Sequence, residues 1–143
     1  RQSMPQLDYS RTDARSLKKG GYILKDFENP IACIIATGSE VSLALEIASV
    51  LEKENLAIQV VSMPCSSVFD RQNESYKKTV LLENIKKISI EAGSTDLWYK
   101  YTGKEGLTIG INQFGASAPA EILFRELKLD LESCLIKIRS FLR

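Results

Sequence analysis

The sequence has no histidine in its 143 residues. Histidine is the side chain whose ordinary charge change falls nearest neutral pH, and it is the commonest general base and metal ligand. Its absence excludes Ser-His-Asp and Cys-His triads outright. Cysteine is scarce too: Cys33, Cys65 and Cys134 are odd in number, far apart, and form no Cys-x-x-Cys pair. That pattern argues for a reducing compartment and against a disulfide framework or a zinc site. No apolar run reaches the roughly eighteen residues that a membrane span needs, and no signal peptide opens the chain. The chain starts at Arg1 rather than Met, which leads us to expect a fragment or a processed product. Neither charge sign dominates: 19 basic residues face 18 acidic ones, without a long block of either. The basic footprint of a nucleic-acid binder is therefore missing. The short pairs Lys18-Lys19, Lys77-Lys78 and Lys86-Lys87 read as solvated surface.

What the chain does have is an ordinary globular composition, 44% hydrophobic and 26% charged, at a length suited to one domain with a real core. Residues 1–19 are polar, lack a sustained period, and read as a linker or arm; the domain proper is expected over 20–143. Gly20-Gly21 leads into YILKDF, a short strand. ENP then makes a turn, since Pro30 disfavours helix at Asn29. IACIIA (31–36) is short and continuously apolar, as a strand buried on both faces would be. From about 39 to 54 a helical period appears. Ser42, Glu46, Ser49 and Lys53 form one polar stripe and apolar side chains cover the rest, as expected of a helix packed on a sheet. LAIQVVS (56–62) is the next strand, so strand, helix and strand form a crossover unit with parallel strands.

Downstream, MPCSSVFDRQNESYKKTVL reads as a loop with one or two short helical turns, with Asn73 as an N-cap. KKISIEAG (86–93) is a third core strand, with Ile88 and Ile90 alternating against Ser89 and Glu91. STDLWYKYTG is a short helix, EGLTIGI a last strand, and NQFGASAPAEILFREL turns into a helix. LESCLIKIRSFL closes the chain behind Asp130 as N-cap, with Leu131, Leu135, Ile138 and Leu142 at helical spacing. No repeat or low-complexity tract interrupts the order. The alternation predicts an α/β fold: a three-layer αβα sandwich around a mostly parallel sheet of about five strands.

The candidate sites are few. Thr37-Gly38-Ser39-Glu40 is a strand-to-helix turn of the kind that offers free N–H groups to an anion. It has one glycine, lacks the lysine of a Gly-Lys-Ser/Thr loop, and carries Glu40 where a phosphate would sit. A capping box is the favoured reading: Thr37 as N-cap bonds the Glu40 N–H while Glu40 reaches back, stabilising the helix by about 1 kcal/mol. Gly115 and Pro119 read as a close-packed turn and a first helical turn. Trp98, Tyr99 and Tyr101 fit a core or a subunit interface equally. Glu91 lies on the strand edge where α/β proteins keep their sites, but without a second acid or base nearby in sequence it reads as a solvated or hydrogen-bonded carboxylate. Cys33 and Cys134 fit core packing; Cys65 lies in a loop with no evident activating partner. No residue is assigned a catalytic, cofactor or metal role on these grounds.

Several segments together resemble the C-terminal domain of transketolases: Arg1-Gln2, GGYIL (20–24), IIATGSEVSLALE (34–46), VVSMPCSSVFDRQ (60–72), ISIEAG (88–93), WYKYTG (98–103) and FGASAPAEILF (114–124). They occur in the family's order over nearly the whole chain. The resemblance implies a cytoplasmic homodimeric parent that transfers a two-carbon ketol unit between sugar phosphates of the pentose phosphate pathway, using thiamine diphosphate and Mg2+ or another divalent metal. It also implies that the cofactor, the metal and the activating glutamate belong to two domains outside this chain, and that the present domain is structural, supports the dimer and is inactive alone. One site residue carries over: Arg1 matches an arginine that contacts the substrate phosphate in the intact enzyme, a task suited to a guanidinium fork. Departures are modest. Lys128 stands where many relatives have glycine, Asp130 where threonine caps, and Cys65 where serine is common. The rival expectation is a free-standing nucleotide- or metabolite-binding regulatory module that uses the strand ends near Thr37, Pro64 and Gly93. A third, an autonomous hydrolase, is disfavoured by the missing histidine. Neither nucleic acid nor membrane is expected as a partner.

Overall fold

A computed structural model describes residues 14–111 and 128–143. The expected helix within 112–127, with Gly115 and Pro119, lies outside these residues, as does Arg1. Five strands form one sheet in the order β1-β3-β2-β4-β5: β1 (Tyr22–Lys25), β2 (Ala32–Ala36), β3 (Ile58–Ser62), β4 (Lys86–Ile90) and β5 (Leu107–Ile109). β2 runs parallel to both neighbours, with Ile34 opposite Val60 on one side and Ile88 on the other. β5 is parallel to β4, and only the edge strand β1 is antiparallel. All five residues of β2 and of β3 are buried, as strands covered by helices on both faces require. The same constraint acts on β4: Ser89, expected to alternate outward, is buried between Ile88 and Ile90.

Helices α2 (Glu40–Lys53) and α6 (Leu131–Leu142) cover one face. Val41, Ala44, Ile47, Ala48 and Leu51 of α2 meet Ile34, Val60, Ile88 and Ile90 there, with Cys134, Leu135 and Ile138 of α6 joining them. The shorter α3 (Ser66–Asp70), α4 (Glu74–Val80) and α5 (Tyr99–Thr102) cover the other face over Cys33, Ile35 and Val61. α1 is a single turn, Ala14–Leu17. The observed arrangement is thus the expected αβα sandwich. Trp98 and Tyr101 are core, while Tyr99 is half exposed, so the core reading holds for two of the three rings.

Local sequence sets the helix ends. Asn73 Oδ1 accepts from the Tyr76 N–H at 2.8 Å, as its position predicts. Asp130 accepts from the Ser133 N–H at 3.0 Å and from the Ser133 hydroxyl at 2.6 Å. Just before it, Lys128 takes φ +57°, the left-handed conformation that glycine adopts without penalty. α2 ends with Asn55 at φ +61° and a Leu56 N–H to Leu51 carbonyl bond, a Schellman closure.

The Asp130 cap carries a pH dependence. The Ser133 hydroxyl, and then the backbone N–H groups around it, hold the Asp130 carboxyl below its ordinary range. A depressed folded-state value gives stability that is present above the unfolded value and lost as pH falls through the folded one. Asp130→Ala should therefore cost about 1 kcal/mol at neutral pH, with the difference from wild type shrinking as the solution is acidified below the carboxylate range. Denaturant unfolding at the two pH values checks this; an equal deficit at both would contradict the ionised cap.

Candidate functional site

The chain topology marks one place where an α/β sheet would hold a ligand. β2 connects to β3 through α2 on one face, and β3 connects to β4, on the far side of β2, through α3 and α4 on the other. The connections diverge between β2 and β4, so the crevice lies at their carboxyl ends. There stand Thr37–Glu40 after β2 and Glu91 after β4.

The turn after β2 is closed on itself. The Glu40 N–H bonds the Thr37 carbonyl at 3.2 Å and the Val41 N–H bonds the Gly38 carbonyl at 3.4 Å. The expected capping box is not formed. Gly38 takes φ +54°, which a first helical residue cannot adopt, so the helix starts one step later with Ser39 at its N-cap and no side-chain cap bond. The Ser39 hydroxyl donates instead to Glu40 Oε1 at 2.7 Å. Glu40 is only 5% exposed, so its carboxylate sits inside the turn, at the positive end of α2. Across the crevice, burial and then the nearby Glu40 carboxylate raise the Glu91 carboxyl above its ordinary range. Glu91 is accordingly half-buried beside a like charge rather than freely solvated. Two carboxylates at the switch point repel a phosphate, and the first N–H groups of α2 are already engaged.

The other edge candidates are structural. Cys65, exposed, is the N-cap of α3; the Ser67 hydroxyl, and then the Val68 N–H, hold its thiol below the ordinary range. Burial pushes Cys33 up to about 12 and Cys134 up to about 11, as inert core thiols. All three are free. Among the described residues no group of three or more His, Cys, Asp or Glu could hold a metal ion, and no helix is long and apolar enough to cross a membrane.

One arrangement escaped sequence reasoning. Between α3, α4, α5 and the start of β4 lies a cleft of about 360 Å³. Asp70 organises one wall: it accepts from Lys100 Nζ at 2.6 Å and from the Tyr101 hydroxyl at 2.9 Å. Burial raises the Asp70 carboxyl, but the bonds from Lys100 and Tyr101 outweigh it and hold the group below its ordinary range. Burial, and then Asp70, push the Tyr101 phenol up to about 12. WYKYTG and the lysine pairs were each visible, but nothing in the one-dimensional order places them together.

The family model described as "Transketolase-like TK C-terminal domain" matches residues 20–130. The chain belongs to the transketolase C-terminal domain family. It is 43% identical over 147 residues to Transketolase 2 of Pasteurella multocida, covering 99% of this chain and 22% of that protein. It is 49% identical over 127 residues to Transketolase 2 of Aliivibrio fischeri, covering 87% of this chain and 19% of that protein. A solved transketolase mutant from Pichia stipitis, in complex with fructose 6-phosphate, superposes with a TM-score of 0.90 at 36% identity, over 99% of this chain and 20% of that one. The chain thus spans about a fifth of the length of the transketolases it matches.

Proposed function

We propose that this chain is the scaffold domain of a cytoplasmic transketolase, inactive alone and part of a homodimeric parent that transfers two-carbon ketol units between sugar phosphates. In this reading the parent's other domains hold thiamine diphosphate and its divalent metal, residues 1–19 join them to the domain at 20–143, and Arg1 reaches the substrate phosphate once the parent is whole. The observation that carries it is the match to transketolases over nearly all of this chain and only about a fifth of theirs. The described residues support the division of labour. The carboxylates at the switch point repel a diphosphate, the two buried thiols are inert, and Asp70 is committed to Lys100 and Tyr101.

The test is turnover by the purified chain with thiamine diphosphate, Mg2+ and a ketose phosphate–aldose phosphate pair. No product is expected, and activity should appear only when the remaining domains are supplied. Turnover by the chain alone would overturn the scaffold reading. The rival regulatory module would need a ligand at the carboxyl ends of β2 and β4, where Glu40 and Glu91 oppose an anion.

A further inference from the structure

The geometry points to the cleft between α3, α4 and α5 as a second, anion-binding site for a small phosphomonoester whose ring rests against Leu81. This goes beyond the scaffold reading and does not depend on the parent's chemistry. Four lysines from three separate parts of the chain line one opening: Lys77 and Lys78 from α4, Lys87 from β4 and Lys100 from α5. Phe69, Leu81 and Tyr101 form the apolar part of the lining. A volume of about 360 Å³ is within the range of small-molecule sites, and a few charged groups over an apolar floor is their usual composition.

The charge balance favours an anion. Four ammonium groups face three carboxylates, Asp70, Glu74 and Glu83. Lys77 pairs with Glu74 and Lys78 with Glu83, but those carboxylates are 76% and 64% exposed, respectively. Exposed pairs of this kind contribute little, about 0–1 kcal/mol, and their long side chains re-form readily around a competing dianion. Lys87 differs. Its ammonium donates to the backbone carbonyls of Glu83 and Ile85, at 3.3 and 3.5 Å, and not to a carboxylate. Its ammonium thus reaches the cleft with its charge uncompensated by those contacts. Lys100 is held in place by Asp70, which also fixes the Tyr101 hydroxyl, so this wall is ordered before any ligand arrives. The ring of the ester can lie against Leu81, the apolar lining residue that is not buried, while the phosphate meets the lysines, each as a point charge.

The experiment is a titration of the 143-residue chain, followed by amide chemical shifts and calorimetry. The probes are glucose 6-phosphate, adenosine monophosphate, inorganic phosphate and glucose. Saturable binding of at least one of the two phosphomonoesters is expected, with inorganic phosphate weaker and glucose silent; the tighter of the two esters identifies the ring that the floor prefers. Shifts should centre on Lys77, Lys87 and Tyr101. Lys87→Gln should weaken binding about threefold without moving the melting temperature. The double variant Lys87→Gln, Lys100→Gln should weaken it about tenfold. Should loss of the Asp70 partner loosen the double variant, the single variant carries the test alone. Absence of saturable binding, glucose binding as well as its phosphate, unchanged affinity in Lys87→Gln, or shifts centred on Thr37 and Gly93 would each overturn the site.

Discussion

Gly20→Ala is expected to destabilise the domain by roughly 3 kcal/mol, combining about 1–2 for a left-handed backbone with about 1–3 for overpacking. Gly20 sits at φ +81°, two residues before β1. A Cβ built there overlaps the Cys65 carbonyl oxygen and lies 2.5 Å from the Phe69 nitrogen and 2.8 Å from Val68 Cβ. The first two are backbone atoms of α3 and its N-cap, so they cannot swing aside as a flexible side chain would. The same backbone carries a hydrogen bond, since the Gly20 carbonyl accepts from the Cys65 N–H at 3.0 Å. Next to it, the Gly21 carbonyl accepts from the Tyr76 hydroxyl at 2.8 Å, with Lys19 Nζ over the Tyr76 ring. Moving the chain away from α3 to admit a methyl group would break these contacts together. For a domain of this size such a loss corresponds to a fall of roughly 10 °C in melting temperature. A scan showing a drop of only a degree or two would mean that β1 can detach from α3 at little cost.

Much of the fold was legible because it rests on local rules. IACIIA reads as a doubly covered strand because it has no polar alternate; its last five residues are β2 and are all buried, while Ile31 lies outside the strand, 45% exposed. Asn73 and Asp130 read as caps because the bonds they make span only three residues. Thr37 misled for an equally local reason. Threonine with glutamate three positions on satisfies the capping-box spacing, but the positive φ of Gly38 between them moves the helix start to Ser39. Ser89 was misplaced because strict alternation describes a sheet with one wet face, and β4 is not in one. The lysine cleft was the least legible. Lys77, Lys87 and Lys100 are ten or more residues apart, and the passage of the chain over β2 from β3 to β4 is what gathers them. Family segments such as ATGSEV and VSMP identified the family correctly, and in the fold they start at the carboxyl ends of β2 and β3.

The larger expected loss comes from Phe69→Ala, about 3–5 kcal/mol. Phe69 is 1% exposed and anchors the second core, the layer built from three short helices rather than long ones. Its ring meets Tyr76 and Tyr101 edge-on, at centroid separations of 6.3 and 6.1 Å. Neither α3, five residues long, nor α5, four residues long, could persist by its own helical propensity. Packing against Phe69 is what holds them, together with the Asp70–Tyr101 bond that α3 extends to α5. Truncation to alanine removes the ring contacts with both tyrosines and leaves a void that the short helices around it can only partly close. Phe69→Leu keeps most of the volume and should cost less than about 1.5 kcal/mol. Ile136→Ala, on the outer face of α6 with 62% of the residue exposed, sets the baseline for a surface apolar group, within about 0.5 kcal/mol. Guanidinium unfolding of the three variants distinguishes the roles. A Phe69→Ala deficit as small as that of Ile136→Ala would show that the three-helix layer is a loose cover on the sheet and not a second core.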